Sequence, residues 1–376
     1  MGDDPVAIIR AKLMRVRLLS IPCVLSWSLV SACGQPDDPA TAPDTSSTQT
    51  EVDTDTDTDT SSGSDSSDEA SSDESDTTAG EPKARKSLVV ALDGVRPDAM
   101  ATANTPTLDA LADGSWAPGY GGAHTGKART LTDADTVSGP NHWSIMTGAI
   151  GAQHGVSSND EVPLGDAEAF PHYLSLLESA APSLGTAYLF TWGLDLAIPC
   201  TADYVKHGTD PTNTERVVAL LNGSFEDDAG SANSAWTRGA PVDAIFLFLD
   251  DTDGTGHRFG FSPEVPEYLA AIEAADAQLG SILDAVKARP SFDQEAWQVV
   301  VTTDHGGEGT DHGGNCEACE AIFFLVSSPE VAGPLPDYDP DTQSGPRNFD
   351  AAPTALTHMG IDLPEYITGS SWHLGG

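Results

Sequence analysis

Five short apolar runs, each ending in a polar or glycine-rich loop, limit what this chain can fold into. Ser87 to Leu92 leads into Asp93, Thr186 to Phe190 into Thr191-Trp192-Gly193, and Ala244 to Leu249 into Asp250-Asp251-Thr252-Asp253-Gly254-Thr255-Gly256-His257. Trp297 to Thr303 leads into Asp304-His305-Gly306-Gly307, and Ala321 to Val326 into Ser327-Ser328-Pro329. Unbroken runs of this length are what strands covered on both faces of a parallel sheet show. Helical patterns lie between them, at Tyr173 to Ser179, Thr214 to Leu221 and Val265 to Ala288. Strand and helix alternate, so the expected class is α/β, with a mostly parallel central sheet and helices on both faces. Ligands of such sheets bind beyond the carboxyl ends of the strands.

The N-terminal part has a different character. Residues 1–32 read as an export signal: Arg15 and Arg17 precede an apolar stretch (Leu18, Leu19, Ile21, Val24, Leu25), too short for a stable membrane span, and Met14 is an alternative start. Val30-Ser31-Ala32-Cys33 resembles a lipobox, which predicts an exported lipoprotein anchored to a membrane through Cys33; the other reading is an ordinary signal with an incidental cysteine. Residues 33–82 are Asp, Ser and Thr with few large apolar side chains, including the run Asp53 to Asp59, and cannot bury enough to offset the entropy of ordering. They are expected to be an extended acidic tether; a calcium-loop reading lacks the glycines and spacing. Residues 83–376 have globular composition and a length compatible with one large domain.

The formal charge of −41 argues against a nucleic-acid polymer as partner, because gripping a phosphate backbone depends on Lys and Arg. A small phosphoester held by a local metal charge is compatible with it. Of the five cysteines, Cys23 would leave with the signal and Cys33 would carry lipid. A disulfide is expected between Cys316 and Cys319, or between either and Cys200; a zinc knuckle would need a second pair.

Two groups of residues carry chemistry. Ser138-Gly139-Pro140-Asn141-His142 reads as a helix start, with Pro140 in the first turn and Ile145, Met146 and Ile150 forming an apolar side. Ser138 then sits where unpaired N–H groups and the positive helix end favour an anion, such as a serine alkoxide or a phosphoryl group. Ser138 as a plain N-cap is the alternative. Asp93, Asp253 and Asp304 each follow a strand, and His257 and His305 lie in the loops of the last two. Oxygen and imidazole donors without thiolate suit zinc or another divalent ion.

Taken together, these residues resemble the alkaline phosphatase superfamily, most closely its type I phosphodiesterase and nucleotide pyrophosphatase branch. The resemblance runs from Val90-Ala91-Leu92-Asp93-Gly94-Val95-Arg96-Pro97-Asp98 through Ser138-Gly139-Pro140-Asn141-His142, His154-Gly155-Val156-Ser157-Ser158-Asn159, Asp253-Gly254-Thr255-Gly256-His257 and Asp304-His305-Gly306-Gly307 to Asp350-Ala351-Ala352-Pro353-Thr354-Ala355-Leu356. It implies a three-layer sandwich and two divalent ions, zinc by expectation. Asp93, Asp304, His305 and the Ser138 oxygen would hold one ion; Asp253 and His257 would hold the other with a third histidine. His312 is the expected third ligand, His373 the reserve, and His358, inside a helical pattern, a structural residue. Asn159 matches an asparagine that contacts a nonbridging phosphoryl oxygen.

The implied activity is hydrolysis of phosphodiesters or nucleotide pyrophosphates through a phosphoserine on Ser138, with monoester or sulfate hydrolysis, or a non-catalytic metal-binding lipoprotein, as alternatives. Two residues depart from the patterns compared. Ser138 stands where the diesterase branch usually has Thr, and His142 stands where sulfatases need Arg. Thr136 is a second hydroxyl nearby. Lys127, Arg129 and Arg258 are the cations that could support a dianionic monoester, and are otherwise expected to be solvated.

Overall fold

In the computed structural model, residues 82–372 are described, apart from 131–132, 227–232, 235–240, 315 and 332. The expected export signal, the lipid-bearing Cys33, the acidic tether and His373 all lie outside the described residues. An eight-stranded sheet organises the domain: β1 (Ala84–Leu92), β2 (Gly121–Arg129), β3 (Thr186–Phe190), β4 (Tyr204–His207), β5 (Asn233–Ser234), β6 (Ala244–Leu249), β7 (Glu295–Thr303) and β8 (Ala321–Ser328), in the order β2-β8-β7-β1-β6-β3-β4-β5. The strands β7, β1, β6, β3 and β4 run parallel. Side chains alternate between faces, so Leu88, Val90 and Leu92 enter one core while Val89 and Ala91 enter the other. Both layers are apolar, which is why these strands read as unbroken hydrophobic runs.

The β8 run is a strand as expected, but it returns antiparallel to β7, and β2 is antiparallel to β8. A parallel return needs a crossover, usually a helix, and between β7 and β8 the only helix among the described residues is the four-residue turn Glu317–Glu320. β2, with the sequence GGAHTGKAR, carries no apolar signature and is a strand through its pairing with β8. A side chain at Gly122 would collide with the Leu111 carbonyl, so glycine admits the helix behind it.

Seven helices of eight residues or more, among the described residues, flank the sheet: α1 (Pro106–Asp113), α2 (Ser138–Thr147), α3 (Tyr173–Ala180), α4 (Asp210–Leu221), α5 (Asp251–Phe259), α6 (Pro266–Lys287) and α7 (Ala351–His358). α6 starts at a proline and buries Tyr268, Ile272, Ala275, Leu279, Ile282 and Val286 at spacings of three and four. α2 departs from the amphipathic expectation: all ten of its residues are buried, and Gly148, at φ 69°, ends it before Ile150. A helix enclosed on every side is held by its surroundings rather than by one apolar stripe. None of the described helices is long and apolar enough to cross a membrane.

The chain enters α3 through His172, whose Nδ1 accepts the Leu174 N–H at 3.1 Å, and burial lowers its pKa to about 3 from an ordinary 6.5. The folded state keeps this ring neutral while the unfolded chain protonates it, so stability is lost as pH falls from 6.5 towards 3. His172→Asn, which retains a capping acceptor, should lose stability less steeply than wild type between pH 6 and 4, by about 1 kcal/mol per pH unit. Chemical denaturation across that range measures it, and parallel slopes would contradict it.

Candidate metal centre

Strand register builds the centre. Leu92 is paired with Leu249 on one side and with Thr303 on the other, so the next residues, Asp93, Asp250 and Asp304, leave three neighbouring strands side by side. Asp304 Oδ1 accepts the N–H groups of Gly94 and His305 at 3.0 and 2.9 Å. Asp304 Oδ2 and both Asp93 oxygens are buried without a hydrogen-bond partner. Gly94 turns at φ +66°, and a Cβ there would stand 2.8 Å from Asp253 Oδ1, so glycine lets the next carboxylate approach.

Asp253 and His257 lie on a helix rather than in the loop their glycines suggested. The Asp210 carboxylate accepts the N–H groups of Asp250 and Asp251 at 2.9 to 3.1 Å and so anchors the start of α5. Asp251 and Asp253 occupy its first turn, where negative charge is favoured. Gly256 is needed because a side chain would strike the Phe261 ring. One helical turn puts His257 Nε2 3.3 Å from Asp253 Oδ2.

Each histidine of the cluster commits Nδ1 to a backbone carbonyl. His305 Nδ1–H donates to Gly306 at 2.8 Å, His257 to Thr310 at 3.0 Å and His312 to Thr136 at 3.0 Å. A carbonyl only accepts, so each Nε2 is left with a lone pair, the arrangement usual for imidazole ligands. His257 and His312 bring their Nε2 atoms within 3.0 Å, and His312 Nε2 lies 3.5 Å from Asp253 Oδ1. Two lone pairs cannot satisfy each other; a proton or a cation must lie between them. Without metal a proton serves: the hydrogen bond to Asp253 raises His257 to about 9, while burial and the neighbouring His305 lower His312.

Ser138 is the first residue of α2, with Val137 as N-cap and no side-chain capping bond. The plain N-cap reading therefore does not describe it. Its hydroxyl lies 3.2 Å from His305 Nε2, and His305 Nε2 is 3.1 Å from Asp304 Oδ2 and 3.5 Å from Asp93 Oδ1. The Gly139 N–H donates to Asn159 Oδ1 at 2.7 Å, which brings Asn159 to the same helix end. Asp93, Asp304 and His305 form one group with ligand atoms close enough for a metal ion, and Asp253, His305 and His312 form another.

Several members of this neighbourhood escaped sequence reading. Asp250 completes a carboxylate group with Asp93 and Asp253, and burial followed by the Asp253 charge raises its pKa to about 6. His142 is buried with Nδ1–H donating to Asp195 Oδ1 at 2.8 Å; burial alone would lower its pKa, but Asp195, Asp304 and Asp93 outweigh that and raise it. Its place four residues after Ser138, on the same helix face, was the available signal. Asn348 donates to the Asp304 carbonyl at 3.2 Å and to Asn141 Oδ1 at 2.7 Å.

Other expectations resolve simply. His358 Nε2–H donates to the Ala296 carbonyl at 2.9 Å and is structural. Thr136 takes part through its backbone carbonyl. Lys127 pairs with Asp337, Arg129 with Glu320, and Arg258 lies over the Phe259 ring. Cys316 and Cys319 form a disulfide, and Cys200 is a free thiol.

The family model for type I phosphodiesterase / nucleotide pyrophosphatase matches residues 87–331. Human ectonucleotide pyrophosphatase/phosphodiesterase family member 7 is 25% identical over 243 residues, covering 59% of this chain and 47% of that protein. Human family member 5 is 24% identical over 302 residues, 78% of this chain and 58% of that protein. The chain thus spans about half the length of these curated relatives. The solved murine family member 5, as an inactive variant in complex with AMP, superposes with a TM-score of 0.55 at 14% identity, over 77% of this chain and 99% of that one, which is a likeness of fold. With the match covering well over half of its length, this chain belongs to the type I phosphodiesterase / nucleotide pyrophosphatase family.

Proposed function

We propose that this chain is a metal-dependent hydrolase of small phosphodiesters or nucleotide pyrophosphates, acting through a phosphoserine on Ser138. Asp93, Asp304, His305 and Ser138 Oγ would hold one divalent ion, zinc by donor chemistry, and Asp253, His257 and His312 a second. The observation that carries this reading is a convergence of uncompensated donors. Unpartnered buried oxygens of Asp93, Asp253 and Asp304 converge with the imidazoles of His305 and His312 beside one buried serine hydroxyl. Such groups are costly to bury unless cations satisfy them.

When bound, the ions would supply Lewis acidity, easing ionisation of the serine hydroxyl and offsetting charge on the departing oxygen. Ser138 Oγ would attack phosphorus in line, the bond from phosphorus to the leaving oxygen would break, and water would then cleave the phosphoserine to restore the hydroxyl. Asn159, whose carbonyl oxygen is committed to the Gly139 N–H, retains its amide N–H groups for a nonbridging oxygen. A diester carries less charge than a monoester, and the cations that could support a dianion have other partners: Lys127 pairs with Asp337, Arg129 with Glu320, and Arg258 lies over Phe259. The AMP complex of the murine relative supports a nucleotide as one arm of the substrate. Export with a lipid on Cys33 completes the reading, and the mass of the mature N-terminus tests it; an unmodified Cys33 would remove the anchor.

Zinc-loaded protein is expected to cleave a bis-aryl phosphate faster than an aryl phosphate or an aryl sulfate, and Ser138→Ala to lower kcat by about a thousandfold or more with metal retained. A metal-loaded Ser138→Ala protein with wild-type turnover would contradict the assignment. Burial and the Asp304 and Asp253 carboxylates raise Asp93 well above the ordinary carboxylate range. Asp93→Asn should therefore stabilise the chelator-treated protein, by about 1 to 3 kcal/mol, yet leave it less stable than wild type in zinc. Thermal melts with and without chelator measure this, and the same ranking in both would count against metal binding at Asp93.

A further inference from the structure

The helix that presents Ser138 sends a second side chain to the metal centre. His142, one turn further along α2, is fully buried, with Nδ1–H donating to Asp195 Oδ1 at 2.8 Å and Nε2 lying 3.3 Å from both Asp93 Oδ2 and Asp304 Oδ2. Its ring packs on Phe248 at 3.7 Å and meets Trp192 edge-on at 5.0 Å, so its plane is held from two sides. Asp195 is fully buried as well, on the short turn Gly193–Ala197 that follows β3. One imidazole thus joins α2, the ends of β1 and β7, and the turn after β3.

A core histidine with a packing role settles its ring on backbone, as His358 does on the Ala296 carbonyl. His142 instead turns both ring nitrogens towards carboxylates. Asp195 is a buried carboxylate whose Oδ1 accepts from this ring while its Oδ2 has no hydrogen-bond partner, an expensive group to keep unless the orientation of the ring matters.

We propose that His142, braced by Asp195, is a positioning residue that holds the Asp93 and Asp304 carboxylates in fixed relation to the helix carrying the Ser138 nucleophile. This rests on the two-metal phosphodiesterase reading above and adds a task to a residue that the reading leaves out. Outer partners of metal ligands orient them, and a displacement of about 1 Å at the nucleophile is enough to lower turnover about a hundredfold.

The test uses zinc-loaded wild type, Asp195→Ala, Asp195→Asn and His142→Asn, with zinc affinity measured by chelator competition and kinetics on a bis-aryl phosphate. Asp195→Ala and His142→Asn are expected to weaken one of the two zinc sites by about 10- to 100-fold and lower kcat by a similar factor. KM should stay within about twofold. Asp195→Asn keeps an oxygen acceptor for Nδ1–H and should recover most of both losses. Variants with lower melting temperatures but unchanged zinc affinity and kcat would reduce His142 to packing and overturn the proposal. Should the variants not fold, nitrogen NMR of the histidines in zinc-loaded wild type decides: protons on both His142 ring nitrogens support positioning, and zinc bound at Nε2 would make it a ligand and overturn it. Wild type that binds no zinc and cleaves no diester would instead sink the functional reading itself.

Discussion

Carboxylates of like charge, delivered to one level at the edge of a sheet, are the constraint to which the rest of the domain answers. Asp93 and Asp304 are fully buried, and Asp250 emerges between them and the opening of α5, because β1 is in register with both β6 and β7. Nothing in strand formation favours this, since buried acids resist ionisation and repel one another. The apolar layers around the parallel strands, with Val90, Leu247 and Val301 on one side and Val89, Phe246 and Val300 on the other, supply the stability against which that cost is set.

Each element nearby makes sense as a way of bringing positive or neutral donors to those acids. α5 starts under the Asp210 carboxylate, which sets the face carrying Asp253 and His257. The returning segment between β7 and β8 carries His312 and fixes its ring on the Thr136 carbonyl, immediately before α2. That segment is tied down at its far end, where the Gly306 N–H donates to the Cys319 carbonyl at 2.8 Å within the disulfide-closed turn. α2 is buried on all sides, so Ser138 is held by packing rather than by a flexible loop. A site on rigid elements at the carboxyl edge of a parallel sheet is the usual arrangement of α/β enzymes.

Much of this was legible from residues alone because burial on both faces leaves a plain signature. The runs at Thr186 to Phe190 and Ala244 to Leu249 coincide with β3 and β6, and the long helix over Pro266–Lys287 follows its apolar spacing. What the residues could not show was decided by tertiary contact. Gly121–Arg129 is a strand through β8, and the direction of β8 depends on what precedes it rather than on its own composition. The helix over Asp251–Phe259 hides behind two glycines, one of them required by Phe261. His142 and Asp195 lie 53 positions apart in the chain, a pairing that no local pattern reveals.

In the function proposed for this chain, two divalent cations bridge these strand ends around Ser138. Anomalous diffraction at the zinc edge from crystals of zinc-loaded protein tests it most directly. Two peaks per chain are expected, one among Asp93, Asp304 and His305 beside the Ser138 hydroxyl, the other among Asp253, His257 and His312. A protein saturated with zinc whose peaks lie elsewhere, or whose strand-end acids show none, would contradict it.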